Sequence, residues 1–194
     1  GDTTRQEVWS ALDDVVADLQ PDGMCIDSGY NTQLVYNWVD RKRWVWAIKG
    51  VSGQGLPLVQ DTQKRNARLR KKRKRAFAPE PIGVDQGKSI IYSRLKITEP
   101  GAAYCHFPNQ ADYDDEYFEQ LTAEKLVTRY NKGRPRQEWV QTRPRNEALD
   151  CRVYALAALR LLAPTTKKVV DEPKKTEQPP KQRWNSPQGG GAWL

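Results

Sequence analysis

The sequence has little of several residue types that define common functional sites. Its single histidine lies in an apolar stretch, and its three cysteines, Cys25, Cys105 and Cys151, are an odd number without paired spacing. This pattern argues against a disulfide framework and a zinc site, and it favours a reducing compartment. There is no apolar run as long as a membrane span, and no signal-peptide pattern opens the chain. The sequence therefore predicts a cytosolic protein without a membrane partner.

Positive charge is what the sequence has in excess. Its 194 residues include 32 lysines and arginines against 24 aspartates and glutamates, a formal net charge of +8 at pH 7. This excess predicts an anionic partner, first of all nucleic acid. The length fits one domain with residues left over. Because the chain begins with Gly1 rather than methionine, we interpret it as a piece of a longer polypeptide.

The stretch Met24-Cys25-Ile26-Asp27-Ser28-Gly29 is the centre of the sequence pattern. Three apolar residues lead into one carboxylate, which predicts a short buried strand that ends in an acid. A charged aspartate at that place needs a partner, and a divalent metal is a general solution because hard cations prefer carboxylate oxygens. The alternative is an Asx-turn that closes the strand.

The elements around this stretch predict a parallel sheet. Residues 5–19 have apolar side chains at helical spacing, which predicts a leading helix. After the first strand, Asn31 or Thr32 can cap a helix over 34–39, and residues 44–48 form a second short strand. A strand, a helix and a strand in so few residues predict a βαβ unit with both strands in one parallel sheet.

A second strand-end acid follows at Asp85. Pro81 to Asp85 predicts a short apolar strand, and Gln86 to Leu95 predicts a helix. The overlapping segment Gly83 to Ser89 resembles a phosphate-binding P-loop, but it has three residues between its glycines where that loop has four. One of the three is an aspartate, which would repel a triphosphate. The sequence therefore argues against an ATP site here.

A dense basic run lies between the first two strands and Asp85. Nine of the twelve residues from Lys64 to Arg75 are basic. Such a run cannot fold on itself at neutral pH, which predicts a solvated loop or arm. A surface loop with incidental charge and a nuclear localisation signal are alternatives, but the density favours contact with phosphates. The predicted DNA-binding residues are Lys64, Arg65, Arg68, Arg70, Lys71, Lys72, Arg73, Lys74, Arg75 and Lys88.

The middle of the chain gives weaker signals. Residues 102–108 predict a strand that contains His106; a general base is one interpretation, but a lone histidine in an apolar strand is more often structural. The acids between 112 and 119 predict a solvated helix N-terminus rather than a calcium site, ahead of a helix from Thr122 to Tyr130. Arg134 to Arg145 predicts an exposed strand or hairpin that can touch DNA.

The third acid of interest lies in the most hydrophobic helix, Glu147 to Leu162. This helix is apolar nearly all round, which predicts burial against the sheet. Asp150 lies in its first turns, and a carboxylate on an inner face needs a partner. Contact with the helix dipole is the alternative, and it suits Glu147 better than Asp150.

Asp27, Asp85 and Asp150 have similar predicted places in the fold. Asp27 and Asp85 each end a short strand, and Asp150 lies near the start of a buried helix. Neighbouring parallel strands are about 4.8 Å apart, so strand-end acids can converge and a helix can place its own acid over them. Three carboxylates in a small volume repel one another unless cations lie between them. Two magnesium ions about 4 Å apart would form a phosphodiester-cleaving site. This arrangement is typical of ribonuclease-H-like nucleases, an α/β fold with a mixed central sheet flanked by helices.

Five segments in order resemble the C-terminal nuclease domain of the lambda-like large terminase subunit of tailed phages, over about residues 22–162. The segments are Cys-Ile-Asp-Ser-Gly-Tyr (25–30), Ala-Ile-Lys-Gly (47–50), Gly-Val-Asp-Gln-Gly-Lys (83–88), His-Phe-Pro (106–108) and Arg-Asn-Glu-Ala-Leu-Asp-Cys-Arg-Val-Tyr-Ala-Leu-Ala-Ala-Leu (145–159). The last is the most specific.

The resemblance implies a metal-dependent endonuclease, with two Mg²⁺ or Mn²⁺ ions, that cuts concatemeric viral DNA during packaging in the host cytoplasm. The first acid of the family maps onto Asp27, the late acid onto Asp150 and the middle acid onto Asp85, with Glu147 as an adjacent candidate. The implied partners are double-stranded DNA, the small terminase subunit and the portal protein.

The same resemblance divides the chain into three parts. Residues 1–20 would be a leading helix and linker from a missing N-terminal ATPase domain, and residues 21–163 would form the nuclease domain. The composition of residues 164–194 predicts a disordered tail, whose Trp193-Leu194 tip would dock on another protein.

Two other functions remain open at this point. A non-catalytic basic module would clamp DNA with a steep salt dependence and would cleave nothing with any metal. A related ribonuclease-H-like resolvase or integrase would prefer branched substrates to linear duplex.

Overall fold

The computed structural model describes residues 2–40, 42–61 and 78–162. The basic run Lys64 to Arg75 and the predicted tail 164–194 lie outside the described residues. Predictions for the DNA-binding arm, for the tail and for its Trp193-Leu194 tip therefore stay predictions.

A three-stranded parallel sheet lies at the centre of the described chain. Its strands are β1 (Met24–Asp27), β2 (Val45–Val51) and β3 (Glu80–Gly83), in the order β1-β2-β3. Asp27 pairs with Ile48, so β1 ends while β2 continues past it. The predicted βαβ unit is confirmed.

Helices pack on both faces of this sheet because the side chains of β2 alternate in direction. Val45 and Ala47 join a core with α1 (Gln6–Leu19) and α2 (Thr32–Val39). Trp46 and Ile48 face the other core, with α3 (Val84–Leu95) and α5 (Glu147–Leu162). The helices α1 and α2 match the sequence prediction.

The predicted cap of α2 is confirmed in its position but not in its bond. Asn31 is the N-cap residue, but its side chain makes no capping hydrogen bond. The Asn31 amide donates to the Thr3 hydroxyl, and the Thr32 hydroxyl donates to the Ser28 carbonyl at 2.7 Å. Both side chains therefore link the helix start to neighbouring chain segments.

The region between α3 and α5 differs most from the sequence prediction. The chain forms α4 (Asp115–Leu121) and then a hairpin of β4 (Glu124–Asn131) and β5 (Arg134–Gln141), so the helix predicted from Thr122 to Tyr130 is wrong. The two turn residues, Lys132 and Gly133, both have positive φ, which suits a tight hairpin turn between twisted strands. The strand or hairpin predicted from Arg134 to Arg145 is confirmed.

The strand predicted over residues 102–108 is also wrong, because this segment is a loop. Its Phe107 packs against the rings of Tyr113, Tyr117 and Phe118, which explains the apolar composition without a strand. The acidic stretch does begin a helix, since Asp114 accepts a hydrogen bond from the Tyr117 N–H at 2.9 Å.

The helix α5 forms over the predicted range and buries one broad face. The predicted burial against the sheet is confirmed, and on the opposite face Leu159 is 51% exposed. The chain is mixed α/β as predicted, but in the described residues the parallel sheet and the hairpin are separate instead of one mixed sheet. Among these residues, none of the helices combines the length and apolar composition of a bilayer crossing.

Candidate active site

Asp27 lies at the carboxyl end of β1, exposed at the surface. Its Oδ1 accepts the Gly29 N–H at 2.8 Å, which is the Asx-turn that the sequence offered as an alternative. Its Oδ2 accepts the hydroxyl of Tyr154 at 3.2 Å. The second bond comes from α5, far along the sequence, so the carboxylate is more than a local turn former.

The N-terminal half of α5 brings Asp150 to the same place. Asn146, Asp150 and Tyr154 are spaced by four residues, which puts them on one face of the helix. Burial raises the pKa of the Tyr154 hydroxyl, and the charges of Asp27 and Asp150 raise it further. The hydroxyl therefore stays protonated at neutral pH and can donate to Asp27.

Asp150 is half-buried among other carboxylates. Burial is the largest cause that raises the pKa of Asp150, and the charges of Glu124, Asp27 and Glu147 act in the same direction. The ammonium group of Lys88 opposes them and lowers the pKa. Asp150 thus lies in a concentration of negative charge that includes Asp27.

Asp85 differs from its predicted place. It is the second residue of α3 and does not end β3, because the helix begins directly after Gly83. Its Oδ2 accepts the N–H of Gly53 at 2.8 Å, in the loop after β2. The charges that shift the pKa of Asp150 do not include Asp85. The structure therefore brings Asp27 and Asp150 together and gives Asp85 a separate partner.

The predicted pocket of three metal-binding acids is not assembled. Within residues 2–40, 42–61 and 78–162, no three His, Cys, Asp or Glu side chains are grouped as metal ligands. Glu147, the adjacent candidate, lies in the first turn of α5 and pairs with Arg145 at 3.4 Å. Its charge nevertheless acts on Asp150.

The segment that resembles a P-loop is a packing element. A Cβ on Gly83 would lie 2.4 Å from the Pro57 carbonyl oxygen, and a Cβ on Gly87 would lie 2.7 Å from a methyl group of Val153. These glycines allow close approach of a loop and of α5, and the segment enters α3 at once. This agrees with the argument against an ATP site.

Lys88, predicted to bind DNA, is mostly buried. Its Nζ lies 2.7 and 2.8 Å from the two carboxylate oxygens of Glu124, and 11% of its side chain is exposed. It is thus not the free surface ammonium group that a phosphate contact requires. The histidine His106 lies in the 102–108 loop with its ring against Tyr104.

Sequence reasoning missed the partners of the two acids. Tyr154 follows Asp150 by one helical turn in the sequence, but no local pattern shows that its hydroxyl reaches Asp27. Sequence reasoning missed Glu124 because it assigned that residue to a helix. Asn131-Lys132-Gly133 was a usable signal for a tight turn, and a hairpin around it would have placed Glu124 in or near a strand.

Comparison with known proteins gives the relatives of this chain. The family described as "Terminase large subunit gpA, endonuclease domain" matches residues 1–170. The chain is 42% identical over 119 residues to "Terminase, large subunit" of Escherichia phage lambda, covering 59% of this chain and 18% of that protein. It is 36% identical over 148 residues to "Terminase, large subunit" of Enterobacteria phage P21, covering 71% of this chain and 22% of that protein. The chain thus spans about a fifth of the length of these curated relatives, and no solved structure matches it.

Proposed function

The chain belongs to the terminase large subunit gpA endonuclease domain family, and from this premise we propose that it is a metal-dependent endonuclease that cuts double-stranded DNA. Membership supports a role in the cutting and packaging of phage DNA. The proposed substrate is concatemeric viral DNA in the host cytoplasm, and the proposed fold is ribonuclease-H-like.

The single observation that carries this proposal is the meeting of Asp27 and Asp150. They come from opposite ends of the domain sequence, and Tyr154, one turn after Asp150, donates directly to Asp27. Asp27 is exposed at a strand end, where a phosphate group of DNA can approach it. Two acids converging from distant segments at an accessible place are typical of a hydrolytic site.

The residues present fit a divalent cation in part. Burial and neighbouring carboxylates raise the pKa of Asp150, so a cation would relieve repulsion there, and carboxylate oxygens are the donors that Mg²⁺ and Mn²⁺ prefer. Asp27 and Asp150 would hold such an ion, with Glu147 at the same helix end and phosphate oxygens completing the shell. When bound, the ion would supply an activated water and neutralise charge on the phosphate. The sequence also predicts a second ion with Asp85 as a ligand, which would require Asp85 to leave the Gly53 N–H, so the site proposed from the structure rests on Asp27 and Asp150.

The chain's own residues have distinct roles in this proposal. The Gly29 N–H and the Tyr154 hydroxyl each donate to one oxygen of Asp27, which fixes the plane of its carboxylate. The lysines and arginines from Lys64 to Arg75 would hold the DNA backbone through phosphate contacts.

The larger assembly is also part of the proposal. The domain would be the C-terminal part of a longer large subunit, preceded by an ATP-driven motor that residues 1–20 connect to it. The small terminase subunit and the portal protein would be its partners, with the portal meeting the Trp193-Leu194 tip.

A plasmid-nicking assay tests the proposed activity. We expect nicking in Mg²⁺ or Mn²⁺ and none in EDTA, and we expect Asp27→Asn to reduce the rate at least about 100-fold, because removal of a metal-holding or reacting group commonly costs several kcal/mol of transition-state stabilisation. Asp22→Asn is the matched control, because Asp22 is exposed and precedes the same strand. It should nick like the wild type.

Three outcomes would overturn the proposal in different ways. Salt-sensitive DNA binding without cleavage in any metal would identify a DNA-clamping module. A strong preference for branched DNA would indicate a resolvase or integrase. Full activity of Asp27→Asn would remove that acid from the site.

A further inference from the structure

An ion pair between α3 and the hairpin is buried next to the candidate site. The side chains of Lys88 and Glu124 are 11% and 5% exposed, and the Lys88 Nζ contacts both Glu124 oxygens. Burying such a pair costs desolvation energy that its attraction often does not repay. Stability alone is therefore a weak reason for its presence.

Different residues contact the carboxylate and the backbone of Glu124. Lys88 contacts both carboxylate oxygens, whereas Tyr92, one helical turn later on α3, bonds only to the backbone. The Tyr92 hydroxyl donates to the Glu124 carbonyl oxygen and accepts the Glu124 N–H. The direction of the carboxylate is thus set by its side-chain partners and not by Tyr92.

Asn146 connects this pair to Asp150. Its Nδ2 donates to Glu124 Oε1 at 2.8 Å and lies 3.4 Å from Asp150 Oδ2. Its carbonyl oxygen accepts the N–H of Asp150 at 3.2 Å, at the start of α5. Asn146 therefore contacts Asp150 with its backbone and its side chain, and the short bond to Glu124 sets the direction of its amide.

We propose that Lys88, Glu124 and Asn146 are positioning residues that orient the Asp150 carboxylate, with Glu124 acting through the Asn146 amide. This inference rests on the proposed nuclease function. Lys88 has two tasks: it neutralises a glutamate that would otherwise repel Asp150, and it holds that glutamate where Asn146 can reach it.

The decisive variant is Asn146→Ala, because it removes the connection and leaves the ion pair in place. We expect kcat for plasmid nicking to fall about 10-fold, the usual size for loss of a residue that orients a metal-binding or reacting group. The KM for plasmid should stay within about twofold, because Asn146 does not hold DNA in this proposal. Tyr92→Phe is the matched control, since it removes a contact to the backbone of Glu124 but none to its carboxylate, and it should keep the wild-type kcat.

Lys88 gives a second, independent test. Lys88→Arg keeps the positive charge and the hydrogen-bond donors, so its kcat should stay within about threefold of the wild type. The kcat of Lys88→Met should fall about as far as that of Asn146→Ala. If Lys88→Met does not fold, the comparison of Asn146→Ala with Tyr92→Phe still tests the positioning role.

The hydrogen bond from the Asn146 amide to Glu124 can be tested without an activity assay. The side-chain amide signal of Asn146 in a ¹H–¹⁵N spectrum is identified by its disappearance in Asn146→Ala. We expect slow exchange of its protons with water in the wild type and in Lys88→Arg.

Failure of this inference is distinct from failure of the proposed function. Equal kcat values for Asn146→Ala and Tyr92→Phe, or fast exchange of the Asn146 amide, would overturn the positioning role in an active nuclease. A wild type that nicks no DNA in any metal would overturn both.

Discussion

Asp27 and Asp85 look alike in the sequence and differ in the fold. Each follows a short apolar run and precedes a glycine by two residues. In the structure Asp27 ends a strand and receives a hydroxyl from a distant helix, whereas Asp85 lies inside the first turn of α3 and receives the N–H of a nearby loop. The element that follows the acid makes the difference: a turn after Asp27 leaves it accessible to other segments, and a helix that begins at Val84 turns Asp85 towards Gly53.

The electrostatic setting separates the two places as well. Asp27 shares its surroundings with Asp150, whose pKa is raised by burial and by neighbouring carboxylates. Asp85 lies beside Gly53, Leu56 and Trp139, which carry no charge. The carboxylates around Asp150 therefore repel one another, and a bound cation would relieve that repulsion. The contrast between the surroundings of Asp150 and Asp85 gives predictions for three variants.

The largest effect is expected for Asp150→Asn. Nicking should fall at least about 100-fold, as for Asp27→Asn, because the amide cannot replace a metal-binding carboxylate. The plasmid assay in Mn²⁺ measures this. If Asp150→Asn kept nicking activity close to that of the wild type, Asp150 would not belong to one active site with Asp27.

The stability of the same variant gives the control for folding. Because the folded-state pKa of Asp150 is raised above the ordinary 3.8, its charged form is disfavoured in the folded protein. Its contribution to stability is thus fully present below pH 3.8 and is lost as pH rises through the raised folded value. In urea unfolding in EDTA, the unfolding free energy of Asp150→Asn should rise relative to that of the wild type as pH rises through that window. A stability difference between the two proteins that stays constant, or that moves in favour of the wild type as pH rises through this window, would contradict this sign.

A smaller effect is expected for Tyr154→Phe. The variant keeps the ring and removes the donor to Asp27 Oδ2, so the carboxylate loses one of two orienting bonds, and nicking should fall about 10-fold. Its unfolding free energy should change by less than about 1 kcal/mol. Tyr30→Phe is the matched control, because Tyr30 is 75% exposed in the loop after Asp27. Equal nicking rates for Tyr154→Phe and Tyr30→Phe would show that the Asp27–Tyr154 contact has no role in activity.

The fold around Asp27 could be predicted because its signals are local. An apolar run into Asp27, a helical stripe and a second apolar run specify a βαβ unit, and short βαβ units form parallel pairs. The helix from Glu147 to Leu162 was equally clear from its apolar length. The place of Asp27 and Asp150 on adjoining elements followed from these two facts.

The rest depended on tertiary contacts that no local pattern shows. The segment from Glu124 to Asn131 has both helix-forming and strand-forming residues, and only its partner β5 decides for a strand. Phe107 is apolar because it lies in an aromatic cluster, not because it lies in a strand. The Lys88–Glu124 pair joins two elements whose proximity the sequence does not encode locally, so Lys88 looked like one more surface cation.

The smallest effect on activity is expected for Asp85→Asn. The amide of this variant would keep an oxygen that accepts the Gly53 N–H, but the bond would lose its charge assistance, which makes such bonds about twice as strong as neutral ones. We expect nicking within about threefold of the wild type and a loss of about 1 kcal/mol in unfolding free energy, measured by urea unfolding. Asp85→Ala, which removes the acceptor entirely, should lose more stability and still nick. A loss of nicking by Asp85→Asn as large as that of Asp27→Asn, in a folded protein, would instead make Asp85 the third acid of the site and would require it to leave Gly53 when DNA and metal bind.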